Sequence, residues 1–413
     1  MAETAVPSPS AQAGEPALPF GVYVHFPWCL QKCPYCDFLS IPTERKDIPQ
    51  EAYTDAVLNE LQARQRVSGP REVQSIFFGG GTPSLWRAQQ LGRVIARIKE
   101  LFVVSPTLEV TAECNPSSFD RAVAEELLRS GINRFSLGVQ SLHDERLHFL
   151  GRLHDAQGGV RAVREALASG APRVSADLIF GVHGQSVEEA VREAQTIADL
   201  GVTHLSVYSL TIEEGTSFGT LHRKGKLPLL DEDTAARMFL ALGRSLEQQG
   251  FTHYEISNYA RDGHYSVHNL GYWKGRDYLG LGCGAWGTVT SQGRGMRYRN
   301  TRSIDHYLTH AADWATLDLL APQGAVHRPL VEQVETLDGQ TRLSERILLG
   351  LRLKAGLDLD EAAAECQATA WTPTRIQAIE RLVARGRLLR EGSRLRIAQD
   401  AWLFADSTIS ELL

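Results

Sequence analysis

Three cysteines fall in one short loop, HFPWCLQKCPYCDFLS: Cys29, Cys33 and Cys36. This C-x3-C-x2-C spacing constrains the chain more than any other feature. Thiolate sulfur is the ligand of iron–sulfur clusters, and four thiolates ordinarily hold a cubane. A loop that offers three leaves one iron without a protein ligand and open to a small molecule, which shifts its use from electron storage to reactivity. Zinc also takes thiolates, and His25 could serve as a fourth ligand. Structural zinc sites, however, pair C-x2-C with a second pair or with two histidines. Here Cys114, Cys283 and Cys366 are each isolated. Ligand type and spacing therefore favour a cluster.

The chain has 413 residues, enough for two or three domains or for one large α/β domain with an appendage. Its net charge of -6 gives no broad attraction to nucleic acid or acidic membranes. Six cysteines, three of them clustered, read as intracellular metal binding rather than a disulfide framework. No apolar run is long enough to span a bilayer. Residues 1–18, MAETAVPSPSAQAGEPAL, lack the basic start of a secretory signal and the arginines of a mitochondrial leader. A disordered tail and a cytoplasmic location are expected.

From residue 21 onward, short β-branched runs alternate with amphipathic stretches. Strands are expected at 22–26, 73–78, 107–113, 134–140, 173–180 and 204–210. Helices between them include 51–65 and 120–131, the latter closed by Gly131. Ser186 and Glu189 form a capping-box pattern that opens another. Six β-then-α units predict an α/β fold, a partial (β/α)6 TIM-like barrel open on one side. Residues 252–260 read as a further strand outside it, and 321–340 as a loop. Residues 341–413 read as a small winged-helix-like α+β domain: helices at 342–354, 359–367 and 373–385, then a hairpin turning at Glu391-Gly392-Ser393. It carries no dense basic recognition helix, so no nucleic-acid partner is expected. The expected organisation is a tail (1–18), a barrel (19–225), an extension with linker (226–340) and a C-terminal domain (341–413).

The unusual residues fall where such a fold gathers function, at the carboxyl ends of the strands. The cysteine loop follows the first strand and Gly79-Gly80-Gly81-Thr82-Pro83 the second. Glu113 and Gln140 end the third and fourth, and Asp177 lies in the fifth. The glycine run lets backbone approach a ligand closely, or merely turns the chain. It is not a dinucleotide fingerprint, because no G-x-G-x-x-G follows. The two carboxylates could serve only to pair with a base such as Arg152.

With Tyr35 before the last cysteine, the loop resembles the radical S-adenosylmethionine (SAM) superfamily. YVHFPWC, FFGGGTPSL, AECNP, FSLGVQS, LGRLH and DLIFG are similar, in order, to its coproporphyrinogen-oxidase branch. The resemblance spans residues 21 to about 400. It implies a [4Fe-4S] cluster on Cys29, Cys33 and Cys36, its open iron chelating SAM. It further implies that Gly80, Gly81 and Thr82 meet the SAM amino group, Glu113 and Arg152 its amino and carboxylate ends, and Gln140 and Asp177 its ribose. Tyr23, Tyr35 and Thr211 would line the pocket.

Two members of the branch differ here. Oxygen-independent coproporphyrinogen III oxidases place a fourth cysteine one glycine after the third, whereas Cys36 is followed by Asp37 and Phe38. CPYCDF and HNLGYW (268–273) instead resemble the HemW-type haem chaperones and their HNxxYW signature. That resemblance implies binding of haem and its delivery to apo-haemoproteins at or near a membrane, and an electron donor if SAM is cleaved. A neutral imidazole is a natural axial ligand for haem iron, and aromatics can cover the macrocycle. His268 is the expected ligand, with Tyr272 and Trp273 covering the haem face and Cys283 a weaker ligand candidate. Because HNLGYW follows an irregular segment outside the six units, haem binding is expected to be separable from the cluster. The chain departs from the family pattern at His183, where proline is usual, and at Trp286, where histidine is usual.

Overall fold

The first strand, β1 (Phe20–Phe26), shows how the rest is built. Val22, Val24 and Phe26 are fully buried on one side, while Tyr23 and His25 point to the other. The same two-residue alternation recurs in β3 (Val103–Cys114), β4 (Arg134–Gln140), β5 (Arg173–Phe180) and β6 (His204–Ser209). Val110, Phe135, Leu137, Val174, Ala176, Leu205 and Val207 turn outward to the helices, each contributing up to about 1.5–3 kcal/mol for a large side chain. Their neighbours Glu113, Ser136, Asp177 and Ser206 turn inward. With β2 (Glu72–Gly80), these strands pair in parallel in the order β1-β2-β3-β4-β5-β6. Inward side chains from all six line one cavity, so the sheet curves into a partial barrel. The computed structural model describes residues 20–69, 71–291, 294–316 and 330–413. The expected tail at 1–18 lies outside them.

The intervening helices follow local signals. Gln50–Ser68 and Arg121–Arg129 cover the first two expected helices, and Gly131 adopts φ +107° just past the second. The Ser186–Glu189 capping box is formed, both partners bonding the helix start at Val187–Asp199.

The sheet continues beyond the barrel on both sides. The segment at 252–260 makes two short strands, β7 (Thr252–Glu255) and β8 (Asn258–Ala260), and β8 pairs antiparallel with β6. Both lie beyond the six barrel strands and extend the same sheet at its β6 edge. On the other edge β9 (Tyr278–Leu281) pairs in parallel with β1. It is followed antiparallel by β10 (Trp286–Ser291), β11 (Arg294–Asn300) and β12 (Val331–Leu337). Part of the expected loop at 321–340 is thus strand. The reading failed because VEQVETL alternates too little apolar character to stand out, and the pairing with β11 fixes it. Residues 321–329 lie outside the described residues.

A second core, from Leu343 to Leu412, joins helices Gly339–Gly350, Leu359–Cys366 and Pro373–Ala384. A hairpin of Leu388–Glu391 and Arg394–Ile397 packs with them. This body grips the barrel through main-chain bonds from Ile256 N to Arg352 O (3.1 Å) and from Lys354 N to Tyr254 O (3.0 Å).

Candidate functional site

The cysteine loop is tied to the barrel rim by backbone. Ile41 N donates to Pro27 O (2.7 Å) and Thr43 N to Cys29 O (2.8 Å), closing the loop's base. Gly81 N donates to Phe26 O (2.7 Å) and Thr82 N to Trp28 O (2.8 Å), lacing the glycine run to the same loop. The glycines are needed for this approach. Gly80 has φ +107°, and a Cβ there would stand 2.4 Å from the His25 ring; one on Gly81 would stand 2.5 Å from Trp28 O. The run therefore approaches the protein's own loop, and the Thr82 hydroxyl reaches Cys29 Sγ at 3.4 Å.

All three thiols line the cavity. Burial pushes Cys29 up to about 11 and raises Cys36; coordination would reverse this, since a metal deprotonates a bound thiol. Among the described residues no three His, Cys, Asp or Glu side chains converge on a single metal ion. A cubane needs no such convergence, because each thiolate takes its own iron. His25 is already committed: Nε2 meets Leu39 O (2.8 Å) and Nδ1 meets the Tyr23 hydroxyl (2.9 Å). It stays neutral, burial lowering it to about 4, and braces the loop rather than offering a fourth ligand.

Across the cavity stand Glu113, Gln140, Arg152 and Asp177. Burial, then the charge of Asp177, pushes Glu113 up to about 8, against the Gly80 N–H that donates to it at 3.1 Å. Burial pushes Asp177 up to about 6, although Ser136 donates to both its oxygens at 3.2 Å. Among the described residues neither carboxylate is ion-paired, so pairing with Arg152 does not account for them. Arg152 instead donates to Gly138 O (2.8 Å) and approaches Cys33 Sγ (3.5 Å). Gln140 holds a left-handed φ of +68°, a strained conformation for a side-chain-bearing residue. Its Oε1 and the Nε of Arg152 are buried without a hydrogen-bond partner. Tyr35 sits between Arg152 and the cysteines, burial raising its hydroxyl while Arg152 opposes. Thr211 is exposed on the rim. Two unsatisfied buried atoms, two carboxylates lacking a cation and three thiols fit a cluster with a bound amino-acid-like cation, as SAM would be.

The HNLGYW segment is not a loop. It is the helix Val267–Trp273, capped by Ser266. Glu109, fully buried in β3, accepts from His268 N (3.2 Å) at the helix start, where a carboxylate is favoured. Arg134 neutralises Glu109 and also donates to His264 O (3.2 Å) and Tyr265 O (3.4 Å). The helix is thereby drawn under the amino ends of β1 and β2, opposite the cysteine loop. His268 is buried, its Nδ1 at 2.9 Å from Ser75 Oγ and its Nε2 at 2.9 Å from the Tyr272 hydroxyl. It stacks on Phe77 with ring centroids 4.9 Å apart.

His268 and Tyr272 line the same cavity of about 1000 Å³ as Cys29, Cys33 and Cys36. The residues expected for haem and for the cluster thus line one cavity, because the Glu109–Arg134 pair draws the extension back against the barrel. Trp273 does not line the cavity, and neither does Cys283. Cys283 is fully buried with its thiol 3.1 Å from Thr301 O. Its chain is pinned by Glu60, which accepts from Gly282 N (2.8 Å), Arg64, Asn300 and Tyr307. Trp286 does face the cavity; His183 is exposed and bonds Leu229 O at 3.2 Å.

Sequence reasoning missed Arg134, Ser136, Ser175, Ser206 and Tyr208, all lining the cavity. Their signal was present. Strands of a parallel sheet covered on both faces read as unbroken apolar runs, whereas RFSLGVQ, RVSADLIF and HLSVYSL interleave polar residues, as a wet inner face requires.

Comparison with known proteins agrees with this geometry. The family model "Radical SAM superfamily" matches residues 23–206, and "HemN C-terminal domain" matches residues 337–404. The chain is 39% identical over 295 residues to heme chaperone HemW of Haemophilus influenzae, covering 70% of this chain and 76% of that protein. It is 33% identical over 400 residues to heme chaperone HemW of Mycobacterium tuberculosis, covering 96% of each. A mouse protein, radical S-adenosyl methionine domain-containing protein 1, mitochondrial, is 34% identical over 410 residues, covering 98% of this chain and 89% of that one. Among solved structures, the coproporphyrinogen III oxidase HemN of Escherichia coli superposes with a TM-score of 0.77 at 19% identity, over 97% of this chain and 91% of that one, and so shares the fold. With its three-cysteine loop on the barrel rim and its HemN-type C-terminal body, the chain belongs to the radical SAM superfamily, among the HemW-like proteins.

Proposed function

We propose that this protein is a haem chaperone: it binds haem in the barrel cavity and passes it to apo-haemoproteins. The observation that carries this reading is that His268, on the HNLGYW helix, faces the same cavity as the three cysteines, amid Tyr23, Phe77 and Tyr272. In the tautomer whose Nδ1–H donates to Ser75, Nε2 is the lone-pair nitrogen, and a metal-bound histidine characteristically donates its other N–H in this way. Haem iron would take Nε2 as Tyr272 swings aside. Cys29, Cys33 and Cys36 would hold the [4Fe-4S] cluster, and Glu113, Gln140, Arg152 and Asp177 the SAM. The chemistry such a pair supplies when bound is one-electron cleavage of the sulfonium, given an electron donor. Cys36 lacks the fourth cysteine of the oxidases, which supports carriage rather than porphyrinogen decarboxylation. Among the described residues no helix is long and apolar enough to cross a membrane. Delivery to membrane haemoproteins would therefore use a peripheral contact.

The test is anaerobic haem titration of the cluster-loaded protein, followed by transfer to an apo-haemoprotein. Native protein should give a Soret band and transfer it, and His268→Ala should lose or shift that band. A second incubation supplies coproporphyrinogen, SAM and a reductant. Robust formation of protoporphyrinogen without haem transfer would overturn the chaperone reading in favour of an oxidase.

A further inference from the structure

We infer that Arg299 and Arg302 form a carboxylate-binding subsite that holds the propionates of a porphyrin seated against Tyr278 and Trp286. The inference rests on the haem reading and adds residues that neither the cysteine loop nor the HNLGYW helix supplies.

The path is continuous. From His268, the Tyr272 hydroxyl lies at 2.9 Å, and the Tyr272 and Tyr278 rings are 4.7 Å apart. Tyr278 and Trp286 sit on β9 and β10. Tyr278 pairs with Thr288, two residues from Trp286, so the pleat puts both aromatics on one face of the sheet. Directly across from Trp286 is Arg299 of β11, whose guanidinium carbon lies 5.2 Å from the indole centre. All these side chains, with Arg302, line the cavity. The wall is therefore aromatic along its length, with Tyr272 meeting Tyr278 edge to face, and cationic at its end.

The charges there are available to a ligand. The Nε–H of Arg299 is buried without a partner. Its ion pair with Glu332, at 3.4 Å, is half-exposed and worth little, while the other Glu332 oxygen accepts from Arg302 N (2.8 Å) and Thr301 Oγ1 (3.2 Å). Among the described residues, the Arg302 guanidinium makes no hydrogen bond or ion pair. Of the acids lining the cavity, Glu113 and Asp177 lie on β3 and β5, Asp37 in the cysteine loop and Glu213 after β6, so none is on β10 or β11. Two guanidiniums against the single acid Glu332 leave the subsite a net positive charge. Guanidinium groups recognise carboxylates through paired N–H donors, and a dicarboxylate porphyrin offers a flat apolar face with two carboxylates on one edge.

The experiment compares haem with haem dimethyl ester, which keeps the iron and the ring and removes both charges. Each is titrated into the native cluster-loaded protein and into Arg299→Gln/Arg302→Gln, following the Soret band and quenching of tryptophan fluorescence. Native protein should bind haem at least about tenfold more tightly than the ester, and the double variant should bind both alike. Iron content and SAM affinity should be unchanged in the variant, which shows that it is folded. Equal affinity of native protein for haem and ester would overturn the subsite while leaving the haem reading intact. Failure of native protein to bind either would overturn both. Should the double variant fold poorly, Arg302→Gln alone, at an exposed position, still predicts a narrowed haem-to-ester ratio, and an unchanged ratio counts against the inference.

Discussion

Glu113 gives the sharpest test of the SAM site, because its protonation is set by burial and by a neighbouring acid. Burial and the nearby Asp177 charge hold its carboxyl up to about 8, with only the Gly80 N–H opposing. Below that value the group carries a proton. An ammonium placed beside it supplies the missing countercharge and pulls the proton off. The sign follows: binding a cation releases a proton, so affinity rises with pH up to the free protein's value and levels off above it. With a midpoint about 8, affinity should climb close to tenfold per pH unit well below it, on the order of 30-fold from about pH 5.5 to about pH 7. An amine that ligates the open iron also sheds its proton, in native protein and variants alike, so the part of the slope that Glu113→Gln removes belongs to the protein. Isothermal calorimetry on anaerobic, cluster-loaded protein would measure both the affinity and the proton release, the latter through buffers of different ionisation heat. Glu113→Gln should bind weakly with this slope removed. Asp177→Asn should shift the midpoint down, since the Asp177 charge is the second cause of the raised value. A flat profile in native protein, or a slope as steep in Glu113→Gln as in native protein, would refute this assignment.

Other outcomes follow from the same structure. Replacing Cys29, Cys33 and Cys36 together with alanine should abolish the broad visible absorption of the reconstituted protein; retention of four irons per chain would contradict the assignment. Gly80→Ala forces a side chain into a left-handed backbone and against the His25 ring, so iron loading should fall while the helical circular dichroism stays. Tyr272→Phe removes the hydroxyl bound to His268 Nε2 and should leave haem binding as tight or tighter, whereas His268→Ala should weaken it; equal loss in both would assign His268 a purely structural role. Glu60→Ala leaves buried Arg64 without its carboxylate partner and should cost about 3–5 kcal/mol by chemical denaturation.

Much of this molecule was legible in its sequence because the signals are local. The spacing of Cys29, Cys33 and Cys36 is a ligand pattern readable without a fold. The β-then-α rhythm predicts the partial barrel, because each unit must bury one face of a strand and one stripe of a helix. Placing Glu113 and Gln140 at strand ends then brings them to one rim, with Asp177 one strand further along, since parallel strands share a direction. What the sequence by itself could not determine were contacts made by residues far apart in the chain. His268 reads as a loop residue beyond the barrel; only the Glu109–Arg134 pair, reaching across about 160 positions to the helix start, carries it into the cavity. The glycine run reads as room for a ligand, yet its closest neighbours are His25 and Trp28. Cys283 reads as a weaker ligand candidate until Glu60 and Tyr53 are seen to hold its chain inside the core. β12 reads as a loop because an edge strand gains its order from the partner it pairs with. A buried charge, a close backbone approach and a sheet edge are each decided by what stands opposite, and that is a property of the tertiary structure alone.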